Sequence, residues 1–331
     1  MRVLVTGGAG YVGSVSAELL VERGHEVTVV DSIATGHLAA VPAGARLVRA
    51  SVGDRGLMEQ ALRDESIEAV LHCASRALVG ESIADPALYY RDNVAGGVNL
   101  LDAMRAVGVR RLVFSSSAAV YGAPTSTPIE ETAELRPVNP YGETKRVFED
   151  ALHWYGSAYG LRSVALRYFN VAGASQRFGE DHSPETHLIP NLLASLDGGP
   201  PLVVHGTDYP TPDGTCIRDY VDVRDLAAAH LAALELTADA SAGRQVFNLG
   251  SGSGFSVREV LHAAEAVTGR HVPHEYGPRR VGDPPVLVAS NTRARQTLGW
   301  VAEHGALEDM IDSAWRWRQQ HRRGYADDRA G

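Results

Sequence analysis

The sequence predicts an α/β fold: a doubly wound parallel sheet followed by a smaller C-terminal substrate-binding lobe. Three observations carry that expectation. Short β-branched runs alternate with helical stretches through the first half of the chain. Those runs are apolar throughout, as strands covered on both faces must be. After Asn170 the pattern changes, with more Gly, Pro, His and Asp and shorter, less regular segments.

The elements follow in order. "RVLVT" (2–6) is the first strand, and "VTGGAGYVGS" leads from it into a helix over Val12–Arg23. "EVTVVD" (26–31) and "ARLVRA" (45–50) are the next strands, and a helix over Arg55–Asp64 leads to "IEAVLHCA" (67–74). A long helix over Pro86–Val107 precedes "RRLVFSSS" (110–117), and another over Tyr141–Tyr159 precedes "RSVALRYFN" (162–170). Later, "LVVHG" (202–206), "QVFNLG" (245–250) and "HVPHEY" (271–276) read as strands. Helices are expected near Val223–Leu236, Ser256–Thr268 and Leu307–Gln319. Residues 1–170 then form the first lobe and 171–331 mainly the second, with some late segments returning to the first. No internal repeat is visible.

Composition narrows the function. At 331 residues, with 21% charged and 44% hydrophobic, the chain suits one large two-lobed globular unit. Cys73 and Cys216 lie far apart without CxxC partners, so neither a disulfide framework nor a metal cage is expected. The opening run is too short for a signal-peptide core, and no apolar run approaches membrane-spanning length. A soluble cytoplasmic protein without a membrane partner is the expectation. A net charge of −9 argues against nucleic acid. A small anionic ligand needs only a few arginines and helix N-termini, so it stays open.

Gly7, Gly10 and Gly13 form GxxGxxG between the first strand and its helix. Glycines there permit a tight turn and close approach of backbone to a pyrophosphate. Asp31 ends the second strand, where an acid accepts from ribose hydroxyls and repels a 2′-phosphate, so NAD is favoured over NADP.

"NPYGETK" (139–145) sets Tyr141 and Lys145 on one helical face, a turn apart. A phenol with a pKa of about 10 is a poor base at neutral pH. A lysine beside it is expected to stabilise the phenolate and lower that value. The glycine spacing, this YxxxK pair and Ser117 in "FSSSAAVYG" resemble the short-chain dehydrogenase/reductase superfamily. The length and the C-terminal lobe resemble its extended branch, which implies a Rossmann-type sheet. By that resemblance Tyr141 accepts and returns a proton, Lys145 tunes it and binds the nicotinamide ribose, and Ser117 hydrogen-bonds the reacting oxygen.

"RYFNVAGA", "PETHLIP", "GTDYPTPDGTCIRDYVDVRDLAAAH" and "PRRVGDPP" are similar to the UDP-glucose/UDP-galactose 4-epimerase family over nearly the whole chain. The resemblance implies an NAD site on Gly7, Gly10, Tyr11, Val12 and Gly13, on Asp31 and Ser32, and on Ser51 and Val52. It continues through Cys73, Ala74, Ser75, Arg76 and Asn93 to Ser115, Tyr141, Lys145 and Tyr168. It implies a UDP-sugar site on Ser117, Tyr141, Asn170, His187, Leu188 and Val203, with His205, Arg218, Arg280, Asp283 and Leu287. Two arginines can clamp a diphosphate and an Asp can accept from a ribose hydroxyl. Related dehydratases need an acid and a base directly after the strand-end residue, whereas Ser117 is followed here by Ala118 and Ala119. Oxidation at carbon 4 then has nowhere to go but back, which is epimerisation. The resemblance also implies a homodimer in which helices over Pro86–Val107 and Tyr141–Tyr159 pair into a four-helix bundle.

Several positions depart from the family pattern. Ser51-Val52 stands where Asp-Ile is usual, and an alcohol there contacts adenine without charge assistance. Ala77 stands where the family has a lysine near the cofactor phosphates. Arg76, next to it, either replaces that charge or meets an acidic sugar. His205 replaces an aromatic near the uracil, Asp222 a frequent histidine, and Ser32 a frequent asparagine. The leading reading is NAD-dependent interconversion of UDP-glucose and UDP-galactose; the alternatives are a 4-epimerase of a UDP-uronic acid, UDP-N-acetylhexosamine or UDP-pentose, and a catalytically idle NAD-binding regulator.

Overall fold

Val3, Leu4 and Val5 have no exposed surface, and burial of each such side chain contributes about 1.5–3 kcal/mol. Leu4 packs into one apolar cluster while Val3 and Val5 pack into another, so a continuous apolar strand serves two helical layers. They lie in β1 (Arg2–Thr6) of a computed structural model that describes residues 1–280 and 283–325. Val281 and Gly282 of the "PRRVGDPP" stretch therefore lie outside the described residues.

β2 (Glu26–Asp31) and β3 (Arg46–Arg49) extend the sheet on one side of β1. β4 (Ala69–His72), β5 (Arg111–Ser117) and β6 (Arg162–Tyr168) extend it on the other, every pairing parallel. β7 (Asn170–Ala172), β8 (Leu202–His205), β9 (Ile217–Arg218) and β10 (Tyr220–Asp222) belong to separate small sheets. β11 (Arg244–Leu249) then returns beside β6, giving a seven-stranded sheet in the order β11-β6-β5-β4-β1-β2-β3.

α1 (Tyr11–Glu22) covers one face; α2 (Arg55–Asp64) covers the other. The long helix expected over 86–107 is continuous but carries a π-helical turn. After α3 (Val79–Ala84) come α4 (Pro86–Tyr89), a π-helical turn at Tyr90–Ala95 and then α5 (Gly96–Val107). Two tertiary contacts accompany the π-helical turn. Asn93, inside the π turn, turns inward to hydrogen-bond the backbone of Arg76. Gly97 lets Phe148 of α6 (Pro140–Tyr159) approach, since an added Cβ would lie 2.5 Å from that ring. An extra residue in a helical turn re-aims the side chains around it.

α7 (Leu188–Leu196) was not expected in the "PETHLIP" stretch; Pro190 lies in its first turn, where no intrahelical donor is lost. α8 (Val223–Leu236) packs Leu226, Ala229 and Ala233 into the β1–α1 cluster, so it covers the large sheet rather than the later segments. β12 (Phe255–Ser256) leads into α9 (Val257–Thr268), whose start is fixed by a capping box between Ser256 and Glu259. β13 (His274–Gly277) begins only after Pro273, which has no N–H to give a ladder, and pairs with β8. β14 (Val286–Leu287), α10 (Thr292–Leu298), also unexpected, and α11 (Leu307–Gln320) complete the described elements. Leu192 and Leu196 of α7, Val260 and Ala264 of α9, and Met310 and Ile311 of α11 share a second core. Among the described residues no helix is long and apolar enough to cross a membrane.

Candidate active site

The C-terminal ends of the parallel strands and the later loops enclose a cleft of about 1880 Å³. Single-ligand sites are typically 300–1,000 Å³, so there is room for two nucleotide-sized molecules. Of the residues expected at the cofactor and sugar sites, all but Asn93 and Ser115 lie on its wall.

The glycine loop is built for a diphosphate. Gly7 has φ +71°, and an added Cβ would lie 2.5 Å from the Ala74 nitrogen. At Gly13 a Cβ would collide with the Gly7 carbonyl oxygen. Gly10 caps α1 with no side chain, so the first amides of the helix stay available to an anion. Asp31 accepts from the amides of Ala9 (3.0 Å) and Ile33 (2.8 Å), which fixes its carboxylate at the end of β2. A carboxylate has lone pairs beyond those two bonds, enough for ribose hydroxyls. These residues therefore fit NAD. Tyr11 is steered by a 2.6 Å bond to the Gly173 carbonyl. Ser51 Oγ accepts from Gly53 N (3.1 Å) and Ser32 Oγ from Ala34 N (3.4 Å). Ser75 donates to the Arg76 carbonyl.

Asn93 and Ser115 support the wall from behind. Asn93 is buried, accepts from Arg76 N and donates to Arg76 O and Thr144 Oγ1. Ser115 Oγ donates to Cys73 Sγ, and its carbonyl accepts from Lys145 Nζ at 2.7 Å. Burial pushes the Cys73 thiol up to about 11, which keeps it protonated and inert.

Helix α6 delivers Tyr141 and Lys145 to the cleft. Asn139 caps it by accepting from Gly142 N, and Pro140 opens its first turn. Gly142 lets the helix press on the turn after Ser117, since a Cβ would lie 2.5 Å from the Ala119 carbonyl. Tyr141 and Ser117 line the cleft together there, and the Ser117 hydroxyl opposes the rise of the Tyr141 pKa. Lower on the helix, buried Glu149 accepts from Ser116 (2.6 Å) and from Nε and Nη2 of Arg167 (2.9 and 2.6 Å). Arg244 of β11 adds a further bond to the same carboxylate.

Burial opposes the expected lowering of the Tyr141 pKa by Lys145. Burial raises the Tyr141 pKa above 10.0, opposed only by the Ser117 hydrogen bond. Burial also lowers Lys145 to about 7, against the opposing pull of Cys73 and Glu149. Lys145 Nζ donates to the Ser115 carbonyl and lies 5.7 Å from the centre of the Tyr141 ring. Both groups are dry, and each resists its charged form. Tyr168 is likewise raised well above its ordinary value by burial.

The opposite wall carries the expected sugar-nucleotide residues. Leu287 of β14 is paired in register with Arg218 of β9, and Arg218 donates to Asp283 at 2.6 Å. Arg280 is exposed on the same wall, and His205 Nδ1 lies 3.2 Å from the Pro278 carbonyl. Val203, Asn170, His187 and Leu188 complete that side.

Residues 3–250 match the NAD dependent epimerase/dehydratase family. The chain belongs to that family. It is 48% identical over 330 residues to the UDP-glucose 4-epimerase of Lactobacillus helveticus, covering 99% of this chain and 100% of that one. The crystal structure of UDP-glucose 4-epimerase from Brucella ovis in complex with NAD aligns with a TM-score of 0.93 at 45% identity, covering 95% of this chain and 97% of that one. The enzyme from Bifidobacterium longum, in complex with NAD+ and UDP, aligns with a TM-score of 0.92 at 35% identity, covering 98% and 100%.

Sequence reasoning missed three features of this epimerase-family site. Glu149 and Arg167 are far apart in sequence, and nothing local marks them as a pair. Asp219 is buried and accepts from Ser251, Gly252 and Ala289, tying the sugar-side loops together. Glu180, His182 and Glu185 join His187 in one cluster, which the spacing E-x-H-x-x-E-x-H could have signalled.

Proposed function

We propose that this chain is an NAD-dependent 4-epimerase that interconverts UDP-glucose and UDP-galactose. The observation that carries the reading is the pairing of Ser117 and Tyr141 beside Lys145, with alanines directly after Ser117, inside a cleft roomy enough for both nucleotides. The UDP-glucose 4-epimerase identity of its full-length relatives supports it. In this reading residues 1–170 hold NAD and most of 171–331 holds the UDP-sugar, with β11 and α8 returning to the large sheet.

NAD, when bound, supplies the hydride acceptor and donor for carbon 4. Tyr141 takes the proton of the 4-hydroxyl, and Ser117 holds the same oxygen in place. Arg218 and Arg280 anchor the diphosphate, which leaves the sugar free to present its other face. Tyr141 then returns the proton. Burial of Tyr141 and Lys145, at 9% and 3% exposure, keeps water away from the transient 4-keto sugar. Where Lys145 carries its charge, it favours the ionised form of Tyr141 against the burial that raises the phenol's pKa.

Arg76 supports a neutral sugar over a uronic acid. Its guanidinium lies 3.0 Å from Asp92 and 3.7 Å from Glu81. A sugar carboxylate arriving there would meet two carboxylates already in possession of the cation. We also propose a homodimer through α5 and α6, because Trp154 is 67% exposed and Tyr159 48% exposed on α6.

Incubating the purified protein separately with UDP-galactose and UDP-glucuronate, with products separated by chromatography, tests the reading. UDP-glucose should form from UDP-galactose. Faster turnover of UDP-glucuronate would overturn the hexose assignment, and no turnover of any UDP-sugar would favour an idle NAD-binding protein.

A further inference from the structure

We propose that Glu180, His182, Glu185 and His187 form a site for a divalent transition-metal ion of the zinc class on the wall of the cleft. Sequence reasoning expects no metal, because it weighs cysteines and overlooks this loop.

The geometry is that of a ligand shell. One donor atom from each residue lies within 4.8 Å of all the others. His182 Nδ1 is 3.2 Å from Glu180 Oε1 and 3.6 Å from Glu185 Oε2. His187 Nδ1 is 2.7 Å from Glu180 Oε1 and 3.1 Å from Glu185 Oε1. Tetrahedral zinc with ligands at about 2.0–2.2 Å spaces them roughly 3.3–3.5 Å apart, so small shifts would complete the shell. Each Nδ1 faces two carboxylates, yet a ring nitrogen has one proton or one lone pair to offer. His182 Nδ1 is also buried with no aligned hydrogen bond. A cation at the centre would satisfy all four donors at once, and two carboxylates would neutralise its charge.

The loop is held in readiness. Gly179 N donates to Tyr325 OH, and Asp181 accepts from Tyr325 N at 2.8 Å. Glu185 Oε1 accepts from the amides of Thr186 and His187 at 2.7 and 2.8 Å, which orients its carboxylate. Asn191 of α7 donates to the His187 carbonyl. Two imidazoles with two carboxylates suit zinc and its neighbours better than calcium or magnesium, which prefer oxygen alone. Four protein ligands close the shell, so the ion's role would be structural. It would tie the stretch between Tyr11, whose ring centre is 6.4 Å from that of His182, and Leu188 at the start of α7. Nδ1 ligation leaves the Nε2 of His187 for the sugar nucleotide.

The competing account is a pair of imidazolium–carboxylate contacts with no affinity for metal. The full-length protein, freed of adventitious metal by a chelator, is titrated with Co2+ and then Zn2+, following visible absorption and calorimetric stoichiometry. The proposal expects one equivalent of Co2+ with the strong visible bands of four-coordinate cobalt, displaced by Zn2+. His182→Gln and Glu180→Gln should each weaken binding by about 100-fold or more. X-ray absorption of the zinc-loaded unmodified protein reads the shell even if a variant fails to fold: two imidazoles and two oxygen ligands are expected. Absence of stoichiometric binding, undiminished affinity in both variants, or sulfur in the shell would each overturn the site. None of these readouts depends on epimerase activity.

Discussion

Tyr141 holds a phenol whose pKa burial pushes above 10.0, so the unliganded chain keeps it protonated and unready. The proton-carrier role proposed for it predicts that Tyr141→Phe lowers turnover by about two orders of magnitude or more while UDP-sugar binding survives. Near-normal rates in that variant would remove Tyr141 from the chemistry. Lys145 makes a separate, pH-dependent prediction. Its folded pKa of about 7 lies below its ordinary 10.5. Between those values the unfolded chain binds more protons, so stability should rise with pH across this window. The slope from this residue is at most about 1.4 kcal/mol per pH unit and vanishes below its folded pKa. Urea unfolding of NAD-free protein from pH 7.5 to 9 should show the unmodified chain gaining on Lys145→Met; parallel curves would contradict the assignment. The Tyr–Lys spacing was legible because a helix puts residues four apart on one face. Their pKa directions were not, because burial is set by β5, which is distant in sequence.

At the scale of elements, α6 matters because it carries Tyr141 and Lys145 and because Glu149 ties it to β5, β6 and β11. Arg167 and Glu149 are 4% and 1% exposed, so removing one charge strands the other. Glu149→Gln should destabilise the fold by about 3–5 kcal/mol, measured as a lower urea midpoint with an unchanged m-value. A loss under 1 kcal/mol would mean the pair is not the anchor. The strands of the large sheet were legible because two-sided burial makes them continuously apolar. The π-helical turn between α4 and α5 was not, because the contacts that accompany it, with Arg76 and Phe148, lie outside the local pattern. Likewise α7 was hidden by Pro190, which a first turn tolerates.

For the whole molecule, the cleft joins a sheet read easily from sequence to a wall assembled from β8, β9, β14 and the loops between them. Those short elements have little periodicity, and only the long "DYPTPDGT" resemblance marked their residues. Leu287 is partly buried, packs against the cluster containing Val120 and Phe169, and lines the same cleft as Tyr141. If it limits sugar size, Leu287→Tyr should suppress any turnover of UDP-N-acetylgalactosamine far more than that of UDP-galactose. Equal losses would show that it is no size gate.

The central claim is that carbon 4 is oxidised and reduced within one closed site. UDP-galactose carrying deuterium at carbon 4 tests it most directly, with the product UDP-glucose analysed by mass spectrometry and NMR. The account predicts that the label stays at carbon 4 of the inverted product, with none exchanged into water. Loss of the label to solvent during inversion would contradict it.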